Sequence, residues 1–128
     1  MDKWQAIQKF WGSFGLPAYD ENSVPEYITD ENGNEVKVEP PYITYSAQTA
    51  SFEAPILLTA SIWYRSQSWE AISKKADEIA LNSHKLIKLD DGYLFITQGS
   101  PFAQRMNDTD ETIKRIYINL MCEFFTSN

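Results

Sequence analysis

His84 is the only histidine in the chain and Cys122 the only cysteine. These are the first places to look for a base, a nucleophile or a metal ligand. His84 follows a helical pattern, where a cation suits the negative helix end. A metal site there would need Cys, Asp or Glu at ligand spacing, and none stands near it in sequence. One histidine would suffice for a Ser-His-Asp arrangement, but no pattern sets a serine beside it. Cys122 lies in an apolar run and reads as a small buried core residue. With one cysteine, an intrachain disulfide is impossible.

The carboxylate clusters read mainly as turns. Asp90-Asp91 precedes Gly92, and the trio is hairpin-turn chemistry. Asp108-Thr-Asp-Glu111 resembles a cation loop but lacks the glycine and terminal glutamate spacing of an EF-hand. Asp20-Glu21 is similar. Gly12-Ser-Phe-Gly15 is one residue short of a nucleophile elbow and lies at a helix end instead of after a strand. There is no glycine-rich phosphate loop. The residues therefore point to no cofactor and no metal, and to no enzyme. The alternative is a small ligand-binding or catalytic α+β domain using His84 and nearby carboxylates.

The elements around these residues are easier to read. In 55–65, Leu58, Ala60, Ile62 and Tyr64 alternate with Leu57, Thr59, Ser61 and Trp63, the period of a strand. In 69–83, Trp69, Ile72, Ala76, Ile79, Ala80 and Ser83 recur at helical steps. Ser66 or Ser68 can cap that helix, and Glu70 suits its positive end. Asp2 can cap a helix over about 3–14 with Trp4, Ile7, Trp11 and Phe14 on its stripe and Phe10 beside it. Gly15 stops it.

Residues 18–25 are polar and turn-rich. Asn32-Gly33 lies between two short apolar-containing runs and predicts a small protruding hairpin over 26–39. Residues 42–48 form a strand, most simply the antiparallel neighbour of 55–65. Residues 86–89 and 93–97 flank the Asp90-Asp-Gly92 turn as a hairpin. Residues 99–110 read as a loop, and 113–125 as a long strand. The expected fold is α+β: one domain over 1–128, with a mainly antiparallel sheet of about four to six strands and two helices packed on it.

The sequence has 128 residues, a net charge of −7 and 43% hydrophobic residues, including four Trp, seven Tyr and seven Phe. That is enough for a core. The negative charge argues against specific or nonspecific nucleic-acid binding and against an anionic membrane surface. No run approaches the ~18 apolar residues of a membrane span, and no signal-peptide core is visible, so cytoplasmic synthesis is expected. One sheet face must meet helices. Either the other face exposes an aromatic patch to a partner protein, with Tyr19, Tyr42, Trp63 and Tyr64 as candidates, or the first helix covers it. Trp63, Tyr117 and Met121 are the candidate interface anchors on the two long strands.

Phe10-Trp-Gly-Ser-Phe-Gly-Leu-Pro-Ala-Tyr-Asp-Glu-Asn-Ser-Val-Pro25, Pro41-Tyr-Ile-Thr-Tyr45, Leu58-Thr-Ala-Ser-Ile-Trp-Tyr-Arg65, Ser68-Trp-Glu-Ala-Ile72 and Tyr117-Ile-Asn-Leu-Met121 together resemble tail-terminator or tail-completion proteins. These are encoded in the head–tail joining region of siphophages and prophages of Gram-positive bacteria. The resemblance spans nearly the whole chain. It implies an α+β virion subunit, made in the bacterial host cytoplasm. Such subunits assemble with themselves into a ring, commonly a hexamer, between the major tail protein and head-completion proteins. It implies no catalytic residues. The 26–39 hairpin is longer than the family pattern.

Overall fold

The computed structural model describes residues 1–49 and 56–126. Its elements run α1 (Lys3–Gly12), β1 (Ala18–Asp20), β2 (Tyr27–Thr29), β3 (Glu35–Lys37), β4 (Tyr42–Thr49), β5 (Ile56–Arg65), α2 (Glu70–Leu81), β6 (Lys85–Lys88), β7 (Gly92–Met106) and β8 (Ile113–Thr126). Six strands form one sheet in the order β1-β4-β5-β8-β7-β6, while β2 and β3 form a separate two-stranded ribbon. All pairings are antiparallel except β1 with β4. The fold is α+β as expected. The main sheet reaches the top of the expected strand number, and the ribbon adds to it. The strand expected from residue 55 starts at Ile56, and residue 55 lies outside the described residues.

Alternation decides which face is buried. In β5, Leu58, Ala60 and Ile62 lie opposite Leu120, Ile118 and Ile116 of β8, and all six are buried. Ile43 of β4 stands opposite Ile62, and Ile96 of β7 opposite Cys122. Both helices cover this same face. Ile7, Phe10 and Trp11 of α1 join Ile72, Ala76 and Ile79 of α2 in one cluster with these strand residues. Lys75 of α2 donates to the Phe14 carbonyl oxygen, just beyond α1, at 2.7 Å, and to Glu78 Oε2 of its own helix at 3.0 Å. Of the two arrangements open from sequence, the structure has the one in which the opposite sheet face carries no helix.

Local chemistry accounts for the helix ends. Asp2 Oδ1 accepts from the Gln5 amide at 2.9 Å, and Gln5 Oε1 accepts from the Asp2 amide at 3.0 Å. This reciprocal cap satisfies two otherwise orphan donors. Trp4 departs from the expected stripe. It is half-exposed, with the Lys3 ammonium 5.1 Å from its ring. Helix α2 starts one residue later than expected, with Trp69 in the cap position. Ser68 Oγ still accepts from the Glu70 amide at 3.1 Å.

Two segments read as irregular are in fact strands. Ala18–Asp20 pairs in parallel with Ile43, Thr44 and Tyr45. The expected 99–110 loop is mostly β7, which continues to Met106 through a bulge: Gln98 pairs with Leu120, and Ala103 with Ile118. Residues 99–102 thus face Asn119 alone. Gly99 permits this close approach, since a Cβ there would lie 2.8 Å from the Asn119 side chain and backbone oxygen. In the ribbon, Gly33 has φ +81°, a left-handed turn conformation that glycine adopts without a Cβ clash. Asp30 Oδ1 accepts from the amides of Asn32 and Asn34, each at 2.9 Å.

Candidate functional site

The candidate site is the helix-free face of the sheet. It is built from the residues that alternate with the core: Leu57, Thr59, Ser61 and Trp63 on β5, and Arg115, Tyr117, Asn119, Met121, Glu123 and Phe125 on β8. Its two ends differ in character.

At the Trp63 end the surface is already knitted together. The Tyr42 ring lies 6.4 Å from Trp63 and 6.0 Å from Tyr19. Trp63 Nε1 donates to Thr44 Oγ1 at 2.9 Å. Partial burial, with the negative charge of Glu39 and the neighbouring Tyr19 adding to it, pushes the Tyr42 phenol above its ordinary pKa. Thr59 and Ser61 are buried here although they face away from the helices, and Ser61 Oγ accepts from Arg115 Nε at 2.9 Å.

At the other end the surface is open and apolar. Leu57 lies directly opposite Met121, and Tyr93 directly opposite Phe125. Phe95 pairs with Leu86 on the edge strand β6. These six side chains are between 37% and 60% exposed. Four strands thus present apolar side chains around the exposed Glu123, which stands opposite Phe95, and such a patch is the kind of surface that marks an interaction site. Of the three anchors named from sequence, all lie on this face but not side by side. Trp63 and Tyr117 are half-buried, and Met121 is in the open patch. Tyr117 and Met121 stand four residues apart, about 13 Å along β8. Sequence reasoning missed Leu57, Leu86, Tyr93, Phe95 and Phe125. The alternation of Tyr93 and Phe95 with buried Leu94 and Ile96 was the available signal.

The chemistry-bearing residues are scattered. His84 is exposed beyond the end of α2. Cys122 is fully buried, and burial, reinforced by the Glu123 charge against a smaller opposing effect of Lys3, pushes its thiol up to about 12. The acidic 108–111 segment is occupied with its own backbone. Asp108 Oδ1 accepts from the Asp110 amide at 2.9 Å, and Asp110 Oδ1 accepts from the Thr112 amide at 2.9 Å and the Thr112 hydroxyl at 2.6 Å. Those bonds from Thr112, assisted by Arg65, hold the Asp110 carboxyl below the usual carboxylate range. Arg65 also reaches Glu39 at 3.6 Å, joining the ribbon's base to the turn before β8. Asp20 Oδ1 accepts from the Asn22 amide at 3.0 Å, again a turn. Among the described residues no three His, Cys, Asp or Glu side chains are grouped so as to hold a metal ion.

No protein-family model matches the chain, and no curated protein matches it in sequence. The fold does match a solved chain from the virion of a native gene transfer agent particle, with a TM-score of 0.58 and 14% identity. The match covers 93% of this chain and 84% of that one. At this identity the likeness establishes a shared fold.

Proposed function

We propose that this chain is a structural subunit of a phage or prophage virion, acting as a tail terminator or tail-completion protein. Copies close into a ring, six being the number the family resemblance implies, at the head-proximal end of the tail. There the ring meets the major tail protein on one side and head-completion proteins on the other. The observation that carries this reading is the fold shared over nearly the whole chain with a component of an assembled virion particle.

Three features support it. The helix-free face offers an open apolar patch suited to protein contact. The candidate chemical groups His84, Cys122 and the 108–111 carboxylates are exposed singly, buried or engaged in turns, and the proposed role calls on none of them. The net charge of −7 lets DNA pass a ring without adhering to it. The protein is made in the host cytoplasm and carried in the virion. Among the described residues no helix is long and apolar enough to cross a membrane.

Sedimentation velocity across a wide concentration range, with and without purified tail tubes, tests the proposal. Rings forming at high concentration or on tube ends are expected, since ring closure adds avidity to individually weak contacts. A monomer under every condition, with saturable metabolite binding lost in His84→Ala, would replace this reading with the ligand-binding one.

A further inference from the structure

The two far ends of this molecule carry opposite charge and unmatched apolar side chains. One end is the β2–β3 ribbon. Residues 26–39 contain five acids, Glu26, Asp30, Glu31, Glu35 and Glu39, against one base, Lys37. Every residue in its two strands is exposed. Ile28 and Val36 stand directly opposite each other, both 43% exposed. A two-stranded ribbon by itself is marginal in water.

The other end is β6. Residues 84–88 contain two lysines and no acid. The acids that follow belong to the turn beyond, where Asp90 pairs with the N-terminal ammonium. Lysines are a common way to protect a sheet edge. That function does not account for Leu86, exposed between Lys85 and Lys88.

The sheet order separates these ends. The ribbon leaves the chain between β1 and β4, while β6 lies four strand positions beyond β4, about 19 Å at ordinary strand spacing. We infer that the ribbon of one copy docks on the β6 edge of the next copy. Val36 and, beside it, Ile28 pack against Leu86 along the edge. Glu35 on the ribbon's other face meets Lys85, which likewise alternates with Leu86, and Glu31 in the turn adds negative charge towards Lys88. Each copy carries both halves, so the contact is heterologous and propagates until rotation closes it. The inference rests on the self-assembly reading above and specifies its surface.

Paired charge reversal tests it. One variant carries Glu31→Lys and Glu35→Lys, a second carries Lys85→Glu and Lys88→Glu, and a third carries all four. The sites are exposed, and circular dichroism checks that each variant keeps the parent fold. Sedimentation is run under the conditions in which the parent assembles. Each pair should raise the concentration for half-assembly by about tenfold or more, because like charges now meet. The fourfold variant should return to within about threefold of the parent. An equimolar mixture of the two pair variants should co-assemble where neither does alone. If both pair variants assemble at the parent concentration, or the fourfold variant fails to recover, this docking is wrong and self-assembly stands. If the parent never assembles, the docking and the self-assembly reading fall together.

Discussion

The Arg115 guanidinium lies over the Trp63 ring, 4.7 Å from its centroid, and its Nε donates to Ser61 Oγ at 2.9 Å. One cation thus covers an aromatic ring and satisfies a buried hydroxyl on the helix-free face. A cation–π contact at such a half-exposed place contributes about 0.5–1 kcal/mol, and the hydrogen bond about 1 kcal/mol. Arg115→Ala should therefore cost about 1–2 kcal/mol in urea unfolding. An unchanged denaturation midpoint would mean that the stack contributes nothing to stability.

The face assignment of α2 has a sharp internal control. Ile79 is fully buried, whereas Leu81, two residues on, is 88% exposed. Ile79→Asp would bury an unpaired charge and should cost several kcal/mol, enough to unfold a domain of ordinary stability. Leu81→Asp should change stability by less than about 0.5 kcal/mol. Thermal melts of the two variants settle the matter, and similar melts would refute the packing described for this helix.

Gly99→Ala probes the bulge. The new Cβ would collide with the Asn119 backbone oxygen as well as its side chain, so rotating Asn119 away cannot relieve it. A loss of about 1–3 kcal/mol is expected, and Asn119→Ala in the same chain should not restore it. Full rescue by Asn119→Ala would show that only the side chain is in the way.

The ribbon belongs to a different sheet from the core strands. Removing 28–38 and joining the ends with a short Gly/Ser link should leave a folded protein, with amide dispersion retained in NMR spectra. Collapse of that dispersion would mean that the core depends on the ribbon. The deletion removes Lys37 but not Arg65, and the loss of the exposed Lys37–Glu39 ion pair should matter little, because such pairs are weak.

Cys122 gives an alkaline signature. Its folded-state pKa is raised, to about 12, so its contribution is complete below the unfolded thiol value near 8.5. As pH rises from there toward 12, the unfolded chain loses the proton and the folded one keeps it. Stability should fall by up to about 1.4 kcal/mol per pH unit through that window. The corresponding part of the decline should vanish in Cys122→Val. Equal alkaline slopes for both proteins would contradict a protonated, buried thiol. The native thiol should also resist alkylation at pH 8 until the protein is denatured.

Strong local periodicity was legible in advance. Leu58, Ala60 and Ile62 announce the inward face of β5, and Ile72, Ala76 and Ile79 that of α2. The Asn32-Gly33 turn announces the ribbon. Three things were hidden for identifiable reasons. Ala18–Asp20 is too short to show a period, and it is held by pairing with β4 rather than by its own pattern. The second half of β7 follows Gly99-Ser-Pro101, residues that ordinarily end a strand but here occupy the bulge. The position of β8 between β5 and β7 is a nonlocal fact that no spacing reveals. The candidate site was half legible. Facing could be read for Trp63, Tyr117 and Met121, but whether α1 covered that face depended on packing. The exposed character of Tyr93 and Phe95 became evident only once the helices were known to share the other face.

That central position of β8 also bears on how the protein is made. Of the six strands in the main sheet, β8 leaves the ribosome last, yet it joins the two parts: β1, β4 and β5 on one side, β7 and β6 on the other. A nascent chain lacking it has two open edges, at β5 and β7, and half a core. Such a fragment has no stable fold to reach, and its bare edges invite aggregation. A prematurely terminated chain should therefore misfold instead of persisting as a partial copy. The last strand made is thus the one on which the whole sheet depends.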